Sequence, residues 1–544
     1  MKNLFKYTLG FFLLLLLGAC AKQVAPTGGP KDTDPPKIES SEPLNYSTNF
    51  VGVTIKLQFD EFVVARNFKE QLVASPPFRE TPELKIKGKT ATLLIKDTLR
   101  ENTTYTINFG SGIVDLTEGN PLDSNIFVFS TGDYLDSLSF SGNVRQAFDL
   151  KPAEEVYVMM YDDPSDSIPC KERPTYFTKA DKQGNFTFNN LASGDYQLFA
   201  LQDANNNYLF DQPNEAIAFP GPSIDPAQPD TVPIQLNMFQ EDSEKQYVKR
   251  AKAEHFGKLM FVFNRPSDEL RIQPTNYSGK KAWYIEERLT NGDSIVLWLT
   301  DVVPDTLNFV LYDGNTALDT VKISIPERKT QVKGKLKKNQ VSLSLKSNHK
   351  GGGYPFFKTL RFIASNPVKS YPEEITLMED SVAIQVPFRQ IDPALRKFEV
   401  DYAFKQEVKY EVKFPPNSFT DIFNLNNDSS KVKFTTKTER DYGQFVLEFQ
   451  GPDKDHPYIL QLLTERGDLV QERVIGSNTK LDFLNLDPGK YRLKLIYDVN
   501  GNGEWDTGSY GEKRQPEKII FYQEPLEVRA GWDLDISWTV TTEG

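Results

Sequence analysis

Cysteine and histidine are scarce in this 544-residue chain, with two cysteines, Cys20 and Cys170, and three histidines, His255, His349 and His456. The histidines lie in three different segments, none with a metal-ligand partner at useful spacing, so each reads as a surface residue. Long apolar runs are also missing. Leu9 to Leu17 is too short to span a bilayer after processing, and no later stretch could form a transmembrane helix. Positive charge is outweighed: 63 Lys and Arg stand against 75 Asp and Glu, a formal net charge of −12. That balance argues against nucleic-acid backbone binding as the main task and is compatible with cation binding. There is no Gly-x-Ser-x-Gly elbow, phosphate loop or His-Glu-x-x-His motif, and Gly351-Gly352-Gly353 lacks the strand-then-helix context of a nucleotide cradle. Carboxylate pairs such as Asp60-Glu61 and Glu373-Glu374 could serve a glycosidase, but small sandwiches seldom form a deep cleft. The reading is therefore not an enzyme.

What the chain does have is aromatic residues, 38 Phe and 23 Tyr, with 35 Pro and 33 Gly to supply turns. This composition favours many short strands over long helices. The length allows about three to five domains, each with ample core. Val53, Ile55, Leu57 and Phe59 alternate with polar partners at period two. Val156 to Tyr161, Lys258 to Phe263, Ser294 to Leu299 and Leu307 to Leu311 are strand candidates, the last three as buried runs.

One pattern occurs twice. Asn190, Leu191, Gly194, Tyr196, Leu198, Asp203, Asn205, Asn207 and Asp211 recur 295 residues later as Asn485, Leu486, Gly489, Tyr491, Leu493, Asp498, Asn500, Asn502 and Asp506. Nine identities in register imply a duplicated module. A second echo pairs Tyr105 to Phe109, Phe129 and Thr131 with Tyr410 to Phe414, Phe434 and Thr436, at an offset of 305. The duplicated unit is thus a sandwich plus its partner.

The Asp and Asn residues of the first repeat place oxygen donors at positions 1, 3, 5 and 9 of each loop, a spacing suited to a hard cation such as Ca²⁺. Backbone carbonyls at position 7 would come from Leu209 and Glu504. The pattern resembles the first nine positions of EF-hand and dockerin calcium loops. It departs from them at position 12, which is Asn214 or Ser509 and not Glu, and at position 6, Tyr208 in the first loop against Gly503 in the second. Plain Asx turns are the alternative. A bound calcium would be structural.

Leu17-Gly18-Ala19-Cys20, after the basic Lys2 and Lys6 and the apolar run, resembles a bacterial lipoprotein signal sequence. The resemblance implies cleavage before Cys20 and covalent lipid on that residue, anchoring the chain in the outer-membrane bilayer. Cys170 would then have no intrachain partner and reads as buried and inert. The expected organisation is a signal peptide (1–19), lipidated cysteine and Pro/Gly-rich tether (20–36), and five β modules at 37–132, 133–240, 255–328, 330–437 and 438–542. Residues 105–131, closing on Phe-x-Phe-x-Thr after an Asp-led loop, resemble the bacterial immunoglobulin-like (Ig-like) domains first known from S-layer proteins. Gly184-Asn185-Phe186 with Leu191, Gly194 and Tyr196 resembles small transthyretin-like sandwiches. The fold class is all-β, with tandem Ig-like and transthyretin-like sandwiches in an elongated multidomain chain.

The layout resembles an Ig-like lipoprotein family of the Bacteroidota. That implies a noncatalytic scaffold, an accessory subunit of an outer-membrane β-barrel complex for assembly or transport, at the cell surface in preference to the periplasmic face. Ala21-Lys22-Gln23 stand where surface-export signals of that phylum place acids, which keeps the periplasmic face open. The alternative is a surface adhesin that stacks sugar rings on exposed aromatics such as Trp283, Trp298 or Trp505, set against their being core residues, which is how Trp298 reads inside its apolar run.

Overall fold

The computed structural model describes residues 32–123, 125–154, 156–228, 233–243, 245–279, 282–327, 343–452 and 455–541. The signal segment, Cys20 and residues 21–31 of the tether lie outside them. The fold is nearly all β. Among the described residues, helix is confined to Phe68–Gln71, Ile168–Lys171 and the 3-10 turn Glu439–Asp441. No helix of the described residues is long and apolar enough to cross a membrane. The chain forms two compact units, one of residues up to 146 with 151–238, the other of 147–150 with 239 onward.

In the first unit, the sheet Ile38–Glu42, Thr54–Phe59, Thr90–Leu94, Glu83–Lys87 shares a core with the sheet Val73–Ser75, Thr104–Asn108, Ile126–Ser130. The period-two residues Ile55, Leu57 and Phe59 point inward and are fully buried. A short pair, Val63–Ala65 with Ile113–Asp115, sits at one end. The next module is a mixed sheet ordered Tyr176–Lys179, Tyr157–Tyr161, Gln197–Gln202, Ala216–Ala218, Ile234–Gln240, Leu138–Gln146, Asn185–Leu191. Its outermost strands in sequence, Leu138–Gln146 and Ile234–Gln240, pair in parallel. The two modules meet where Phe177 N–H donates to Ser75 Oγ (3.1 Å) and Arg173 donates to the carbonyls of Phe78 and Arg79 (3.2 Å each).

In the second unit, the strand Val248–His255 pairs with Lys258–Phe263, so this sandwich starts ahead of the expected boundary at 255. Its sequence, VKRAKAEH, puts charge on one face and little but alanine on the other, which is why it carries no apolar signal. Ser294–Leu299 is buried at all six positions. Ile295, Leu297 and Leu299 fill the sandwich's own core, while Val296 and Trp298 on the opposite face pack on Phe423 of the next module. A strand covered on both faces reads as a continuous apolar run. The fourth module has a sheet running from Leu345–Ser347 to Ser430–Thr435 and the short pair Val368–Ser370 with Thr420–Asp421.

The last module repeats the second. Asn478–Leu486, Gly443–Gln450 and Asp533–Thr539 form one sheet, with the first and last strands of the module again parallel. Leu469–Ile475, Tyr458–Thr464, Gly489–Tyr497 and Ile519–Phe521 follow the order of Tyr176–Lys179, Tyr157–Tyr161, Gln197–Gln202 and Ala216–Ala218. The sequence duplication is a duplication of strand order and of parallel closure.

The other echo proves to be a corner. The Tyr105 hydroxyl accepts the N–H of Arg100 (2.8 Å), and the Tyr410 hydroxyl accepts that of Lys405 (3.0 Å). Thr131 Oγ1 accepts the N–H of Thr103 and donates to the carbonyl of Arg100, and Thr436 Oγ1 does the same with Val408 and Lys405. In each copy a Tyr and a Thr hydroxyl satisfy the backbone of the turn before a closing strand.

Candidate functional site: the paired Asp and Asn loops

Both loops leave the end of a central strand, Gln197–Gln202 or Gly489–Tyr497, and are shaped by their leading aspartate. Asp203 Oδ1 accepts the N–H groups of Asn205 (3.1 Å) and Asn206 (2.6 Å), and Oδ2 accepts that of Tyr208 (2.7 Å). Asp498, fully buried, accepts from Asn502 (3.0 Å) and Gly503 (2.9 Å). Asn207 Oδ1 then takes the N–H of Leu209, and Asn502 Oδ1 that of Glu504. The amides of Asn205 and Asn207 converge on Asp211 (3.2 and 2.8 Å), and those of Asn500 and Asn502 on Asp506 (2.7 and 2.9 Å). All eight predicted residues are therefore brought together, four in each loop.

The departure at position 6 has no backbone consequence. Tyr208 has φ 64° and Gly503 φ 78°, and position 4 is left-handed in both, at Asn206 (58°) and Gly501 (73°). Tyr208 holds the conformation that glycine adopts freely because its ring packs on Phe177 (5.0 Å) and Tyr157 (5.2 Å), with Arg173 beside it.

Each loop has a further acid absent from the sequence pattern. Glu215 Oε1 accepts the N–H of Ala204 (3.1 Å), and Oε2 those of Asp211 (2.9 Å) and Gln212 (3.0 Å). Glu517 Oε1 accepts from Val499 (2.7 Å) and Oε2 from Asp506 (3.1 Å). Both glutamates thus clamp loop positions 2 and 9, and both are buried. Glu215 follows its leading Asp by 12 residues and Glu517 by 19, so no fixed spacing reveals them. Burial raises the Glu517 carboxyl above its ordinary range, and nearby Asp506 and Asp498 push it further.

The donors are all oxygen, the chemistry a Ca²⁺ or similar hard cation requires. As folded, however, they satisfy one another as Asx turns, and no group of three or more His, Cys, Asp or Glu among the described residues is arranged to hold a metal. For the Asn oxygens to face an ion, the amides would have to turn and give up the N–H groups of Leu209 and Glu504 and their bonds to Asp211 and Asp506.

The other candidates part from expectation in places. His255 is half-buried against Trp298 (6.1 Å) and Phe423 (6.1 Å), not on the surface, and burial with the Lys258 charge pushes it down to about 4. His349 packs on Tyr354 and Phe434, while His456 is exposed. Cys170 is half-buried on Ile168–Lys171. Trp283 and Trp298 are core residues, and Trp505 is half-buried with its indole N–H donating to the Glu517 carbonyl (3.0 Å). Trp283 and Trp298 therefore offer no open ring face for sugar, and Trp505 meets Phe148 edge-on at 5.0 Å.

Residues 32–131 match the family model of a bacterial Ig-like domain. No curated protein matches the chain. Among solved structures, the chain is similar to the S-layer protein rSbsC(31-844) at 12% identity, covering 90% of this chain and 66% of that one, with a TM-score of 0.14. It is similar to BcpA, the major pilin subunit of Bacillus cereus, at 9% identity over 74% of this chain and 99% of the pilin, TM-score 0.14. A Bacteroides ovatus protein of a mixed-linkage glucan utilization locus, solved with a heptasaccharide, matches at 9% identity over 74% of this chain and 90% of that one, TM-score 0.18. Scores this low transfer no arrangement of modules and no ligand.

Proposed function

We propose that this chain is a noncatalytic, lipid-anchored outer-membrane lipoprotein that serves as a protein-interaction scaffold, accessory to an outer-membrane β-barrel complex and facing the cell surface. The observation that supports it best is the locking of module against module. Arg396 grips Glu287 through one nitrogen on both carboxylate oxygens (2.7 Å each), across the junction of the third and fourth modules. Trp298 Nε1 donates to the same carboxylate (2.8 Å), and Phe423 plugs the sheet face beside it. Lys437 pairs with Asp487 (2.6 Å), and Phe357 stacks edge-on to Tyr442 (5.3 Å), at the next junction. Polar and aromatic contacts between sandwiches, buried at the Arg396–Glu287 junction and more open at the Lys437–Asp487 one, serve a spacer better than they serve a catalytic cleft. In this reading Ca²⁺ binds the Asp203 and Asp498 loops and stiffens them, and Cys20 carries the lipid.

The test is pull-down from crosslinked outer membranes. Near-stoichiometric recovery with a β-barrel protein supports the scaffold. An unacylated, soluble mature chain, or recovery with no protein, overturns it. One observation favours glycan adhesion as the second reading. Trp532 is 49% exposed on a groove of about 390 Å³ shared with Tyr522, Arg529 and Asp535. Glycan-array binding abolished by Trp532→Ala, without a barrel partner, would establish that reading.

A further inference from the structure

The loop after the short paired strand occurs in both the first and fourth modules, and in one of them it already docks. Asp421 is fully buried, and its Oδ1 accepts the N–H groups of Phe423 (2.9 Å) and Leu425 (2.8 Å). The loop so braced inserts Ile422, Phe423 and Leu425 among Phe256, Met260 and Trp298 of the third module. Phe423 meets Phe256 edge-on at 4.9 Å, and Gly257 leaves room that a Cβ would take from the ring. The receiving surface is a sheet face with an apolar centre and Lys258 over its Trp298 (5.3 Å), while Arg396 of the docking module lies over the same ring (5.0 Å) and pairs with Glu287 of the receiving face.

Asp115 builds the same loop in the first module. It is buried, and its carboxylate accepts the N–H groups of Thr117, Glu118, Gly119 and Asn120 at 2.6–2.9 Å. Leu116 follows it, 59% exposed, and its N–H donates to the carbonyl of Phe62, which is 55% exposed. Leu116 thus stands on a loop held by a buried carboxylate, with Phe62 beside it on the segment that leads into Val63–Ala65, whereas in the copy Ile422, the counterpart of Leu116, packs with Phe423 on the third module. Asp60, Glu61, Glu118 and Asp32 gather beside them, with Lys89 over the Phe62 ring (5.9 Å) as a single cation among these acids. Burial raises the Glu61 carboxyl above its ordinary range, and Asp115, Asp60, Asp32 and Glu118 push it further.

We propose that Phe62 and Leu116 form a docking tip for a partner protein, seated on a β-sheet face of that partner with an apolar centre and a Lys/Arg rim. The covered copy supplies the shape of the joint, and the acidic ring around the tip supplies the sign of the partner's rim. This goes beyond the scaffold reading by naming the surface and the chemistry it meets, and rests on that reading only for the existence of a protein partner.

The experiment places the photocrosslinking residue p-benzoylphenylalanine at position 116 of the full chain in its own cells, with position 382, where Val382 is 63% exposed, as control. The crosslinked peptides are sequenced. The proposal expects one dominant adduct at position 116 whose partner residue lies on an apolar sheet face flanked by Lys or Arg. Phe62→Ser and, separately, Glu61→Lys should each lower its yield at least about tenfold, with an unchanged thermal melt. Crosslinks to residues 20–31 of the same chain, to a second copy or to lipid overturn it. So does a yield at 116 no higher than at 382. A protein captured at 382 but not at 116 removes the docking tip and leaves the scaffold, whereas capture of no protein from any position removes both.

Discussion

Replacing Arg396 with methionine isolates a buried polar contribution at a module junction. The Arg396 and Glu287 side chains are 18% and 9% exposed, so water screens the pair little. Arg396 Nε also donates to the Ala364 carbonyl (3.0 Å). Arg396→Met leaves a buried carboxylate with only the Trp298 N–H, and breaking a buried pair in this way costs about 3–5 kcal/mol. An exposed pair such as Lys56 with Glu42, at 56% and 79%, would cost about 0–1 kcal/mol. The double variant Glu287→Gln with Arg396→Met keeps an acceptor for Trp298 but removes the stranded charge, and should recover most of the loss. Hydrogen exchange followed by mass spectrometry suits a multidomain chain, in which a single unfolding free energy is ill defined. Peptides covering Tyr284–Arg288, Ser294–Leu299 and Arg361–Ala364 should exchange about a hundredfold or more faster in Arg396→Met. Exchange within about threefold of the parent, or a double variant as labile as the single one, would refute the account of the junction.

Calcium at about a hundred times its Kd should stabilise the module holding Asp498 by about 2.7 kcal/mol, seen as a calorimetric shift that Asp498→Asn or a chelator removes. No shift at millimolar Ca²⁺ means the loop is an Asx turn alone. Because the folded Glu517 carboxyl lies above its ordinary value of 4.5, the native chain holds a proton the unfolded one has released; stability should fall as pH rises from 4.5 through the folded value. Denaturant titrations from pH 4 to 7 test this, and Glu517→Gln should flatten the slope. Tyr410→Phe removes the corner hydroxyl that accepts Lys405 N–H and should cost about 1 kcal/mol, with Thr436→Val costing more because it strips both a donor and an acceptor. Lys494 is 2% exposed and burial pushes it down to about 8, against the nearby Asp149 and Glu472. The unfolded chain then binds the extra proton between about 8 and the ordinary 10.5, so stability should rise with pH across that window. Lys494→Met should abolish the rise and leave the module between unchanged and about 2 kcal/mol more stable at neutral pH.

Strand period, turn residues and the nine-position repeat were legible in the amino acids because each depends on local order alone. Alternation puts Ile55, Leu57 and Phe59 on one face wherever the chain goes next, and an Asp two residues before an Asn turns the backbone by its own hydrogen bonds. The loops at Asp203 and Asp498 therefore each gather their two Asp and two Asn residues, and even the Tyr208 departure keeps the glycine-like backbone. What local order does not contain is anything whose two halves lie far apart or at unequal spacing. Glu215 and Glu517 do the same work 12 and 19 residues from their aspartates. Arg396 and Glu287 meet across 109 residues. Val248–His255 is a strand only because Lys258–Phe263 lies beside it. His255 is drawn from the surface into an aromatic joint because Phe423 arrives from the next module. Trp283 and Trp298 were open to two readings as residues, and burial removed one of them. The amino acids decided which segments become strands and which turns hold oxygen donors; the packing of one sandwich on another decided which side chains remain exposed to meet a partner, because exposure is a property of neighbours and not of residues.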